Sequence, residues 1–131
     1  MQERVNLYNA LKLPTSINSA VLGIIDRSGN QFTSNGWLTF SLSPQCDLSD
    51  VQILELDMLL CTLKHGHQMR CHTPEYALVL NREWVASFCF QCNNIHVSGN
   101  GKRFGVEFDG MDDTAQALMK FFESSLSDKM R

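Results

Sequence analysis

The segment Asp50 to Lys64 is apolar nearly all the way round, with a narrow polar strip at Gln52, Glu55 and Thr62. Ser49 stands three residues before Gln52, the spacing of a capping box, and Leu48 and Ile53 stand where a hydrophobic staple joins them. Lys64 and His65 suit the negative end of a helix dipole, and Gly66 suits the left-handed residue that follows a helix. The pattern predicts a helix over 50–64, and a helix this apolar is expected to be mostly buried. A chain that must bury a whole helix needs other elements to surround it. At 131 residues it is long enough to supply them within one domain.

Those elements read mainly as strands. Ser19 to Asp26 is a β-branched apolar run ending at the turn formers Ser28-Gly29-Asn30, and Trp37 to Leu42 follows a second turn at Asn35-Gly36. Tyr76 to Leu80 and Trp84 to Phe90 flank Asn81-Arg82, and Asn94 to Ser98 and Arg103 to Phe108 flank Gly99-Asn100-Gly101, giving two hairpins. Asp113, with Gln116 three residues on, opens a last helix over 113–126. Its stripe of Ala115, Leu118, Met119, Phe122 and Leu126 should lie on the sheet. Arg4, Leu7, Tyr8 and Leu11 recur at helical spacing in a short segment, Gln2 to Leu13, that stops at Pro14. The order predicts an α+β fold: one domain over 1–131 with an antiparallel sheet carrying the 50–64 and 113–126 helices.

Composition narrows the partners. The formal net charge is −3 and the basic residues are scattered, whereas nucleic-acid binding needs a basic stripe that displaces counterions from phosphates. No apolar run reaches the roughly 18–20 residues of a membrane helix. The opening Met1-Gln2-Glu3-Arg4-Val5-Asn6 has no apolar stretch like that of a signal peptide, and together with the thiols this favours a reducing cytoplasm.

Five cysteines cannot all pair within one chain. Cys46 and Cys61 read as small buried hydrophobes, Cys61 as part of the apolar helix. Cys71, Cys89 and Cys92 form a cluster that includes the C-x-x-C of Cys89-Phe90-Gln91-Cys92. If Asn81-Arg82 makes a two-residue turn with Leu80 facing Glu83, continuing the ladder sets Cys71 opposite Cys92. Pro74 then faces Cys89 and weakens the pairing, because it has no N–H to give. Three readings stay open. The cluster could hold a structural zinc, with Cys71, Cys89, Cys92 and His72 (or His65 or His67) as ligands. It could be a redox dithiol, although reactive C-x-x-C motifs favour a helix N-terminus, and here Phe88-Cys89-Phe90 lies within a predicted strand with Asn93-Asn94 continuing towards another. Or the three are simply buried, which is the reading the residue type favours.

Other constellations are weaker. Cys92 and His96 would lie roughly 13 Å apart on one strand, too far for a nucleophile pair. His96 reads as an outward polar residue between Ile95 and Val97. Glu107, Asp109, Asp112 and Asp113 lack the spacing of a calcium loop, and capping of the last helix explains Asp112 or Asp113. No phosphate-binding glycine loop, nucleophile elbow or H-E-x-x-H is present, so no catalytic residue is nominated.

The stretch Cys71-His72-Thr73-Pro74-Glu75-Tyr76-Ala77-Leu78, followed by Cys89-Phe90-Gln91-Cys92-Asn93-Asn94, resembles a loosely defined group of small bacterial proteins. They share a C-x-x-P-x-x-[AG]-[LI] element, a hairpin, a C-[FW]-x-C and a closing helix, and the resemblance runs from Cys71 to about Phe122. Many members carry a basic residue where this chain has Glu75-Tyr76. The resemblance implies a bacterial or phage-related source and no particular chemistry. The function expected is a non-catalytic protein-binding module, such as a small cytoplasmic inhibitor or immunity protein that blocks a toxin or effector. The alternative is a zinc-stabilised or thiol-reactive sensor built on Cys71, Cys89 and Cys92.

Overall fold

The computed structural model describes residues 11, 13–14, 16–26, 32–34, 37–39, 41–67, 74–99 and 101–129. The elements run β1 (Ala20–Asp26), β2 (Phe32–Ser34), β3 (Trp37–Thr39), β4 (Ser41–Asp47) and α1 (Asp50–Thr62). They continue with β5 (Tyr76–Leu80), β6 (Trp84–Cys89), β7 (Asn94–Gly99), β8 (Lys102–Glu107) and α2 (Asp113–Lys129). Six strands form one antiparallel sheet in the order β4-β1-β5-β6-β7-β8, and β2 and β3 form a separate pair. The fold is α+β, as the alternation of apolar runs and turns predicts.

Register sorts the side chains by face. Leu22, Leu78, Ala86 and Val97 are neighbours across β1, β5, β6 and β7, and all four belong to the core under the helices. The row beside them, Val21, Val79, Val85 and Ser98, lies on the opposite face, where Val85 is exposed. From α2, Ala115, Leu118, Phe122 and Leu126 are buried against the core face, while the predicted Met119 is half-buried and Phe121 is buried instead. Phe122 packs edge-on against Phe88 at a centroid distance of 5.0 Å and against Phe90 at 6.0 Å.

Several boundaries differ from expectation for definable reasons. The single strand predicted over Trp37 to Leu42 is divided between β3 and β4, and β4 continues through Pro44 to Asp47. Pro44 is tolerated because β4 is an edge strand, where a missing N–H costs little pairing. The Asn81-Arg82 turn forms, with both residues at positive φ and the Glu83 N–H donating to the Leu80 carbonyl at 3.1 Å. Leu80 faces Trp84, however, so Glu83 is an extra residue and every later pair shifts by one. The Asn81 side chain also accepts the Asn18 N–H at 2.7 Å and donates to the Ser16 carbonyl at 2.8 Å, pinning the segment before β1. The helix predicted before Pro14 lies largely outside the described residues, although Leu11 is in the core.

The capping box of α1 is complete: Ser49 Oγ accepts the Gln52 N–H at 3.2 Å, and Gln52 Oε1 accepts the Ser49 N–H at 2.8 Å. The other end departs from expectation. The helix stops at Thr62, and Leu63 is extended, so Gly66 is not a left-handed cap. Lys64 to Gly66 instead runs beside the end of β8, with Gly66 N–H donating to Glu107 O at 3.0 Å and Asp109 N–H to Lys64 O at 2.9 Å. A Cβ at Gly66 would collide with the Phe108 carbonyl, so this close pairing requires glycine.

Candidate functional site

The cysteine cluster sits at one end of the sheet. Cys89 is the last residue of β6, opposite Asn94, and Phe90 to Asn93 form the turn into β7 with Asn93 at φ 56°. The chain has therefore left the β6 ladder before Cys92, and the predicted Cys71–Cys92 facing along an extended β5–β6 ladder does not describe Cys92. Cys89 is 0% exposed and Cys92 is 3% exposed, and the Cys92 N–H donates to Cys89 Sγ at 3.2 Å. Cys92 is disulfide-bonded, whereas Cys46, Cys61 and Cys89 are in the thiol form. Cys71, the remaining cysteine of the chain, and His72 lie outside the described residues. Zinc would need Cys92 as a thiolate rather than as half of a disulfide.

Next to this turn lies an open pocket of about 340 Å³, lined by His65, Gly66, His67, Asn93, Asp109 and Met111. It brings two histidines considered as zinc ligands close to the C-x-x-C, since Asn93 directly follows Cys92. The Asn93 side chain lies against Gly110, where a Cβ would collide with it. Among the described residues, no three His, Cys, Asp or Glu side chains converge as a metal site requires. The carboxylate run is engaged locally. Asp109 Oδ1 accepts the Met111 N–H at 3.0 Å, and Asp112, rather than Asp113, caps α2 by accepting the Thr114 N–H at 3.2 Å. His96 occupies the half-buried outward position expected of it, between Ser87 and Gly105.

The largest departure from the sequence reading is α1 itself. Ile53, Leu56 and Leu60 are buried, and Gln52 Nε2 reaches Ser125 Oγ of α2 at 3.3 Å. On the opposite side, Val51 is 74% exposed, Leu54 67% and Met58 70%. The expectation of a mostly buried helix is thus corrected. Two apolar stripes at i, i+3, i+7 share one helix, and lying beside α2 on the surface buries only one of them. Cys61 is half-buried rather than part of the core; burial, reinforced by the Asp57 carboxylate, pushes its thiol pKa up. Fully burying side chains of this size is worth about 1.5–3 kcal/mol each, so the exposed stripe holds unspent association energy. The outward face of α2, by contrast, carries Gln116, Lys120, Glu123 and Ser127.

Val51, Leu54 and Met58 were not nominated from the sequence. The signal available was the helix's lack of a polar face, which reads equally as burial on all sides or as one stripe left for a partner.

No protein-family model, curated protein or solved structure matches this chain. Among the described residues, no helix is long and apolar enough to cross a membrane.

Proposed function

We propose that this chain is a non-catalytic protein-binding module that occupies a surface of another protein, in the manner of a small bacterial inhibitor or immunity protein acting in the cytoplasm on a toxin or effector. The observation that carries the reading is the stripe of Val51, Leu54 and Met58 on the outside of α1. A capped, rigid helix offering large apolar side chains at i, i+3 and i+7 has the form by which helices enter protein grooves. Ordering costs are low because the box at Ser49 and Gln52 and the buried Ile53, Leu56 and Leu60 already hold the backbone. The chain's mild acidity adds charge steering towards basic surfaces.

Affinity capture from the native host tests this reading. The wild-type chain should retain one protein at near-stoichiometric amounts, and a Leu54→Gln, Met58→Gln variant of equal stability should lose it. Equal retention by both, or no stoichiometric protein with either, contradicts the reading.

A further inference from the structure

We propose that the exposed face of α1 receives a basic amphipathic helix, one whose apolar stripe is bordered by Lys or Arg on both sides. This inference rests on the protein-binding reading and names the chemistry of the partner. Between Asp50 and Thr62 the chain contains Asp50, Glu55 and Asp57 and no Lys, Arg or His. At about 3.6 residues per turn, Glu55 borders the Val51–Leu54–Met58 stripe on one side and Asp50 borders it on the other. Asp50 and Glu55 are exposed, and Asp57 is half-buried. The apolar stripe therefore has an acidic border along both edges.

That double border discriminates among occupants. A second copy of this chain pairing α1 against α1 would set the exposed Asp50 and Glu55 against the same two carboxylates, with no basic residue between Asp50 and Thr62 to offset them. An anionic lipid surface would meet the same repulsion. A helix with apolar residues at i, i+3 or i+4 and i+7, flanked by cations, satisfies the stripe and both borders together. The stripe from Val51 to Met58 spans two turns, enough for a helix crossing at a shallow angle to seat several anchors.

The probe is a synthetic leucine–lysine peptide matched to the length of α1, with leucines at helical spacing. A leucine–glutamate peptide of the same pattern is the control. Titrating each into the full-length protein at low and physiological salt should show the lysine peptide binding about tenfold or more tightly than the control. The Leu54→Gln, Met58→Gln variant should weaken lysine-peptide binding about tenfold. Glu55→Lys should weaken it severalfold and flatten its salt dependence. Both peptides binding alike, the double variant binding the lysine peptide as well as wild type, or no binding of the lysine peptide would overturn the proposal. So would a dimer of the free chain in sedimentation that the double variant abolishes, or binding to phosphatidylglycerol vesicles that depends on Leu54 and Met58. The two readings fail separately. Leu54-dependent capture of a host protein without lysine-peptide binding removes the basic helix and keeps the binding module. Lysine-peptide binding as described without any captured protein does the reverse.

Discussion

Asp112 ties the segment after α1 to the first turn of α2. Oδ1 accepts from Lys64 Nζ at 3.2 Å, Oδ2 accepts the Thr114 N–H, and its backbone carbonyl receives the Ala115 and Gln116 N–H groups. Burial pushes the carboxyl pKa up, but the hydrogen bonds from Lys64 and Thr114 and the Lys64 charge outweigh it, leaving the group below its ordinary 3.8. A depressed folded-state pKa contributes stability above the unfolded value and loses it as pH falls through the folded one. Asp112→Ala should therefore lower the unfolding free energy by about 1 kcal/mol near neutrality, as caps typically do. The gap from wild type should shrink below pH 3.8 in urea melts. An equal gap at neutral and strongly acid pH would count against this account. The capping role was legible from the acidic residues before α2, although the choice of Asp112 over Asp113 depended on where Lys64 came to rest.

At the scale of elements, α1 has two different faces of similar composition. Leu56 is 0% exposed and Leu54 is largely outside, two residues apart in one helix. Leu56→Ala should cost about 2–5 kcal/mol through lost burial and a cavity. Leu54→Gln, which keeps helix propensity and removes no core contact, should change stability by about 0.5 kcal/mol or less. Chemical denaturation of the two variants measures both, and a large loss from Leu54→Gln would mean the outer stripe is structural. The start of α1 could be read from Ser49 and Gln52 because capping is decided within four residues. Its exposed face could not, because that depends on where α2 packs, a helix that begins only at Asp113. The β5–β6 register failed for a related reason. The turn residues Asn81 and Arg82 were identifiable, but the extra Glu83 moved every partner by one, and β6 ends at Cys89, so that Cys92 falls in the turn that follows.

On the scale of the whole molecule, the sheet edges are protected in ways the sequence allows. β4 at one edge carries Pro44, and β8 at the other exposes Lys102 and Arg103, both of which discourage pairing with another chain. Strand addition is thus disfavoured at both edges of the six-stranded sheet. The cysteine turn and the His65–His67 pocket lie at the end of β6 and β8, and the C-terminal end of α1 is tied to that region through the Lys64–Asp112 ion pair. α1 is the proposed surface by which this protein engages another. A photo-crosslinking residue placed at position 58, compared with one at position 120 on the polar outer face of α2, tests it in living host cells. One discrete protein adduct is expected from position 58 and none from position 120. No adduct from position 58, or the same adducts from both positions, would contradict it.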